Sequence, residues 1–300
     1  MFEGPDGPWL TVEGLPQLLH SYAQNYEDVI LARVFQGKTG FYIDAGANHP
    51  EFHSVTKHFY DKGWWGVNIE PHLGFHQALC QQRPRDVNLC VGVSDREAIV
   101  TFHEVASGMG VNSLTTHFAD WNVGQEVRAR DVQITTLAKI CETYAGDRLI
   151  DFLKIDVEGV EREACEGGDW SKYRPRVVVI ELNEPVGFAD WDAWFLAKGY
   201  HFAYFDAINR FYVRSEDLAL IPILAVPYSW CDRAISYEQV RIIQQLQRQV
   251  AELKAENAGI RERGESVSRS RTLVQGVKRR LARRFPRSVS RVKKILGRTG

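Results

Sequence analysis

Three hundred residues, 44% hydrophobic and 25% charged, supply enough apolar material for a sizeable core and exclude a chain that is disordered throughout. The net charge of −1 hides an asymmetry: residues 261–300 carry fourteen Lys/Arg against two acids, a net +12, which leaves −13 for residues 1–260. The five cysteines, Cys80, Cys90, Cys141, Cys165 and Cys231, form no Cys-x-x-Cys pair, which argues against a disulfide framework or a cysteine zinc site and for a reducing compartment. Residues 1–8 have neither a basic start nor an apolar run, and the longest apolar stretch, residues 218–226, is broken by Pro222. Neither a secretory signal nor a membrane span is expected, so the reading is a cytoplasmic protein, soluble or peripheral at the inner face of a membrane.

In chain order, residues 1–20 form an N-terminal extension, and residues 21–235 alternate short apolar runs with helix-like stretches, the pattern of an α/β domain. Strands are expected at 40–45, 66–70, 88–93, 100–104, 150–156 and 176–182, followed by a hairpin of 201–204 with 211–213. Runs such as Val177-Val178-Val179-Ile180 are apolar on consecutive residues, as in a parallel strand covered on both faces.

Residues 236–263 are expected to be helical. Ile243, Leu246, Val250, Leu253, Asn257 and Ile260 recur at alternating steps of three and four, a heptad seam with a polar residue at one core position. This supports either a homodimeric coiled coil through residues 240–263 or a single amphipathic helix packed on the body. Residues 264–300 interleave Leu273, Val277, Leu281, Phe285 and Val292 with Lys278, Arg279, Arg283, Arg287 and Lys293, a basic amphipathic tail split by Pro286. Such a tail suits an anionic membrane surface or an acidic partner such as a glycosyltransferase; nucleic acid is disfavoured by the acidic body, and a solvated tail is the simplest alternative.

The chemistry concentrates at strand ends. Residues 41–48 read as a strand ending in Asp44-Ala45-Gly46-Ala47-Asn48, where glycine permits a tight turn and close approach to a ligand. The absence of Gly-x-Gly-x-x-Gly disfavours a pyrophosphate site. Glu70, followed by Pro71, lies 24 residues after Gly46, at a second strand end where a carboxylate accepts both ribose hydroxyls. An adenosine site without a phosphate clamp points to S-adenosylmethionine. At the end of the fourth strand Asp156 is the first choice of base for a hydroxyl acceptor, with Lys154 and Glu158 expected on the same strand face as its partners and His53 as a reserve base. Asp156, Glu181 and Asn183 together offer hard oxygen ligands for Mg2+; alternatively, Asp156 and Glu181 only order loops. His49, His53 and His58, with His72 and His76, include i, i+4 pairs but no third ligand at a defined spacing, so zinc is disfavoured. Trp64, Trp65, Trp191 and Trp194 suit either sugar stacking or the core, and Gly108, Gly110 and Asn112 suggest a loop over the acceptor.

Seven islands in order, Ser21–Asp28, Ile43–Asn48, Ser54–Lys57 with Gly63–Gly66, Asn68–Pro71, Val93–Asp95, Phe152–Gly159 and Val179–Leu182, resemble the FkbM-type S-adenosylmethionine-dependent methyltransferases. The resemblance implies a class I methyltransferase fold: a Rossmann-like, mostly parallel, seven-stranded sheet with a reversed final strand. It implies that Asp44, Gly46 and Asn48 hold the methionine part, Glu70 the ribose, and Ser94 with Asp95 the adenine, with Gln24 and Glu27 closing over the methionine end. It also implies O-methylation, here read as acting on a sugar hydroxyl of a surface polysaccharide or lipid-linked glycan. A second reading is a non-catalytic scaffold that recruits glycan-synthesis enzymes to the membrane.

Overall fold

The protein is described from a computed structural model that covers residues 18–105, 126–182 and 187–262. The chain divides into two units, Leu19–Tyr237 and a second made of Met1–Leu18 with Glu238–Gly300.

In the first unit the elements run β1 (Leu19–Ser21), α1 (Glu27–Val34), β2 (Phe41–Ala45), α2 (Lys57–Asp61), β3 (Trp65–Ile69), α3 (Leu73–Gln82), β4 (Val87–Leu89), β5 (Gly92–Val93), β6 (Ala98–Val105) and β7 (Val127–Thr135). They continue with α4 (Leu137–Ile140), β8 (Phe152–Ile155), α5 (Glu161–Glu166), β9 (Val177–Glu181), α6 (Phe188–Leu196), β10 (Tyr200–Phe205), β11 (Asn209–Arg214), α7 (Ile221–Leu224) and β12 (Ala234–Ser236).

The main sheet has seven strands in the order β10-β11-β9-β8-β2-β3-β4. The pairs from β4 through β9 are parallel, and β11 runs antiparallel to both of its neighbours, so the sheet is mixed. Alternate residues of each strand enter opposite cores. Tyr42, Phe152, Val179 and Phe211 pack with Ile30, Leu31, Phe35 and Phe59 of α1, α2 and the turn after α1. Ile43, Leu153, Val178 and Tyr212 pack on the other side with Leu137, Ile140, Ala164 and Phe195 of α4, α5 and α6. Helices on both faces account for the consecutively apolar strands.

Two features differ from the sequence expectation. The segment 88–93 does not form one strand: Val87–Leu89 stays in the main sheet while Gly92–Val93 starts a separate three-stranded sheet, β5-β7-β6. The expected strand at 100–104 is the centre of β6 and belongs to that smaller sheet, paired along its whole length with β7, which the sequence reading left unassigned. β1 and β12 form a further two-stranded parallel sheet.

A buried polar row crosses the main sheet. Asp44 stands between Asn68 on β3 and Lys154 on β8, and Asn68 stands beside Asn88 on β4. Behind it the Asp86 carboxylate accepts hydrogen bonds from the Tyr42 hydroxyl (2.7 Å), the Gly66 N–H (2.9 Å) and the Asn68 amide (2.9 Å), tying β2 to β3.

The helix α8 (Tyr237–Glu262) carries most of the expected heptad positions. Ile243, Leu246, Val250, Leu253 and Asn257 are half-buried along it, and the Asn257 amide donates to its own helix at the Leu253 carbonyl (2.9 Å). No helix among the described residues is long and apolar enough to cross a membrane. The basic tail 264–300 and the loop around Gly108 and Asn112 lie outside the described residues.

Asp86→Ala strands three buried donors, each costing about 1–3 kcal/mol when left unpaired. Urea denaturation of this variant is expected to show a loss of about 3 kcal/mol or more.

Candidate functional site

The carboxyl ends of β2, β3 and β8 open into a cleft holding about 550 Å³ of empty space, part of it continuous with solvent. The β2 end can lie against the β8 end because Gly46 has no side chain: at φ +82° a Cβ there would fall 1.7 Å from the Asp156 carbonyl oxygen. Gly46, Asn48, Glu70, Pro71, Asp156 and Glu158 line the cleft, and so do Ile69, Val91, Gly92, Val93, Phe102 and Val157.

Glu70 is positioned by the backbone. Its two oxygens accept from the Asn48 N–H (2.7 Å) and the His72 N–H (2.6 Å). Burial pushes its carboxyl up to about 7 against those two bonds, which favour the charged form. Each oxygen keeps a lone pair for a ligand hydroxyl.

Asp44, expected at the methionine part, is 1% exposed and is not among the residues that line the cleft. It accepts from Thr56 Oγ1 (2.8 Å), and its Oδ1 lies 4.0 Å from Lys154 Nζ. Burial raises its proton affinity, opposed by Lys154, Thr56 and Arg83. Arg83 is fully buried and donates to the oxygens of Thr56, Ser54 and Pro50, which holds the loop after β2.

Asp156 and Lys154 form a close pair, Oδ2 to Nζ 2.7 Å. Burial pushes Asp156 up, yet the Lys154 charge, hydrogen bonding with Glu181 and Lys154, and the His53 charge outweigh it and hold this acid below its ordinary value. Burial pulls Lys154 down, but the charges of Asp156 and Asp44 carry it above its ordinary value. An acid kept ionised by an ammonium is a weaker base than one raised by burial alone.

Glu158 does not share a strand face with Lys154. Strand β8 ends at Ile155, and Glu158 sits in the following turn at φ +55°, a conformation that costs a non-glycine residue energy. Burial, then the charges of Asp156 and Glu161, push its carboxyl up to about 7. Asp156, Glu158 and Glu181 each offer an oxygen within 4.8 Å of the others, so Glu158 stands in the acid cluster where the sequence reading placed Asn183, which lies outside the described residues. Among the described residues, no histidine joins this cluster.

Several expected residues lie elsewhere. Ser94 is buried with its hydroxyl on Asp95 (3.2 Å), and Asp95 pairs with Arg96 (2.8 Å); neither lines the cleft, whose wall ends one residue earlier at Val93. Gln24 is exposed, and Glu27 is buried away from the cleft lining, accepting from the Asn209 amide (2.9 Å) and the Asn25 N–H (2.7 Å). His53 is exposed at φ +55° and does not line the cleft, yet it is near enough for its charge to act on Asp156. His72 caps α3, and burial pushes His58 down to about 4. Trp64 is a core residue donating to the Lys38 carbonyl, and Trp191 and Trp194 pack against the core. Phe102 and the Val91–Val93 segment were missed as wall residues, although Gly92 directly after an apolar strand is a local sign of close approach.

The model of the methyltransferase FkbM domain matches residues 44–202, from Asp44 on β2 to the start of the β10–β11 hairpin. The chain belongs to this family. Among solved structures it is similar to precorrin-6y C5,15-methyltransferase from Geobacter metallireducens GS-15, at 12% identity over 69% of this chain and 99% of that one, with a TM-score of 0.35. No curated protein matches the chain.

Glu27 gives the fold of this FkbM-family chain a pH signature. Burial raises its carboxyl to about 7, so the folded state holds a proton that the unfolded chain releases above about 4.5. Its contribution is present in full below the unfolded value and is lost as pH rises through 7. Glu27→Gln is expected to flatten the decline in stability between pH 5 and 8, measured by thermal melting across that range.

Proposed function

We propose that this FkbM-family protein is an S-adenosylmethionine-dependent O-methyltransferase acting on a sugar hydroxyl of a surface polysaccharide or lipid-linked glycan. The observation that carries this reading is the cleft at the carboxyl edge, where a backbone-held carboxylate, an apolar wall and an acid of near-neutral proton affinity meet.

The residues fit the cofactor. Glu70 suits the ribose hydroxyls, the Gly46–Asn48 turn the methionine part, and Ile69, Val91 and Val93 an uncharged base. When bound, S-adenosylmethionine supplies an electrophilic methyl group on a sulfonium. Glu158 takes the proton from the acceptor hydroxyl, and its affinity near 7 matches a base working at neutral pH. Asp156, kept negative by Lys154, raises the basicity of Glu158 through its charge. Asp156, Glu158 and Glu181 bring three carboxylate oxygens within 4.8 Å of one another, and the single Lys154 ammonium offsets only part of their charge.

The seam on α8 supports a homodimer, and the alternation of basic and apolar residues in 264–300 supports attachment to the cytoplasmic face of a membrane, where a lipid-linked acceptor resides. Two anchors in one dimer would raise the effective concentration at the surface.

Calorimetry is expected to show micromolar S-adenosylmethionine binding by the wild type and a clear weakening by Glu70→Ala; a wild type that does not bind overturns the reading. Glu158→Gln is expected to keep cofactor affinity and lower kcat by about 10²–10⁴ on a glycan acceptor. Deleting residues 264–300 is expected to abolish sedimentation with anionic vesicles.

A further inference from the structure

The three-stranded sheet β5-β7-β6 stands outside the main sheet, yet two of its side chains, Val93 and Phe102, reach the cleft. Phe102 on β6 is 2% exposed and forms part of the cleft wall with Ile69, Val91 and Val93. Directly opposite it on β7 is Arg130, whose guanidinium lies over the Phe102 ring, 5.7 Å from the centroid. The same guanidinium pairs with Glu104 (3.2 Å) and donates to the Pro71 carbonyl, the residue that follows Glu70. A further tie, Ser94 N–H to the Thr135 carbonyl (2.9 Å), joins the chain just after β5 to the end of β7.

This smaller sheet is therefore docked on the rim at the point where a ribose would be held. The wall it helps to build is uncharged and includes an aromatic ring, while Asp95 and Arg96 are paired with each other off the cleft. An apolar, ring-bearing wall beside a hydroxyl-binding carboxylate suits a planar heterocycle attached to the sugar.

We infer that Phe102 is the residue that contacts the purine base of the cofactor, and that Arg130 is a positioning residue that seats Phe102 by clamping β7 to Pro71. The inference rests on the S-adenosylmethionine reading above and assigns its base recognition to the smaller sheet, in place of Ser94 and Asp95. The Phe102 ring takes one side of the base, and the aliphatic side chains of Val91, Val93 and Ile69 complete the apolar surround.

The test is calorimetric titration of S-adenosylhomocysteine into the full-length wild type, Phe102→Leu, Phe102→Tyr, Arg130→Met and Arg130→Lys, each checked by thermal melting. Base–aromatic contacts of this kind are worth about tenfold in affinity or more. Phe102→Leu, which stays apolar but loses the ring, is expected to weaken binding about tenfold, with Phe102→Tyr close to the wild type. Arg130→Met is expected to weaken binding and Arg130→Lys to restore part of it. A folded Phe102→Leu variant that binds like the wild type overturns the base assignment. So does a Phe102→Tyr variant that loses as much affinity as Phe102→Leu, since a purely steric role would not spare the ring. A wild type that binds no S-adenosylhomocysteine overturns the cofactor reading itself, a result distinct from the other two.

Discussion

The site depends on one buried ammonium. Lys154 lies on the central strand β8 with its side chain 7% exposed, its Nζ 2.7 Å from Asp156 and 4.0 Å from Asp44. Two carboxylates at the middle of a sheet, walled by aromatic and aliphatic side chains, cannot both stay ionised without a cation between them. With Lys154 present, Asp156 remains charged, and its charge then raises the proton affinity of Glu158 two residues on. A single cation thus sets apart neighbouring acids of similar intrinsic strength, the usual way in which one site acquires both a fixed charge and a proton acceptor.

The backbone around the site is held in uncommon conformations. Asn48, His53 and Glu158 have φ between 51° and 55°, and Tyr26 and Ala207 have φ of 66° and 84°. The first three belong to the loops that leave β2 and β8 at the carboxyl edge. Tyr26 and Ala207 flank a contact on the same edge, where the Asn25 amide donates to the Asp206 carbonyl and Asn209 pairs with Glu181. Conformations of this kind cost about 1–3 kcal/mol each and persist where surrounding structure over-determines them. Arg83 supplies part of that restraint, since its fully buried guanidinium binds three oxygens of the loop carrying His53 and Thr56.

The central strands were legible because consecutive apolar residues between turn signals leave few alternatives. The motifs at their ends were legible for the same reason: Gly46 and Glu70 stand where a parallel sheet presents its ligands, and both line the cleft. The smaller sheet was not legible. Its strand β7 is exposed or half-exposed over its first five residues, and β5 is only two residues long, so neither carries a periodic signal. Phe102 reaches the cleft through the β6–β7 register and the Arg130 clamp, which are tertiary facts. The charge state of Asp156 was illegible on a related ground. The spacing of Lys154 and Asp156 suggested a pair, but only the register of β8 against β2 shows the ammonium serving Asp44 as well and being committed to charge balance. Glu158 was placed on the strand because its alternation with Asp156 continues past the residue where β8 ends.

Packing and proton chemistry are coupled in this cleft. The apolar residues that make one part of the wall dry are the reason that carboxylates nearby are reluctant to ionise, since burial is the largest influence on both Glu70 and Glu158. The two acids reach a similar affinity by different means and suit different tasks. Glu70 is held by two backbone N–H groups that favour its charged form, and further hydroxyl donors would favour that form more, which suits an acceptor of ligand hydrogen bonds. Glu158 is buried next to a negative charge, and each of these raises the energy of its unprotonated form, which suits a group that accepts a proton. The apolar wall on β5 and β6 therefore belongs to the acid–base apparatus as much as to ligand binding, because opening it to water would lower the proton affinity of both acids together.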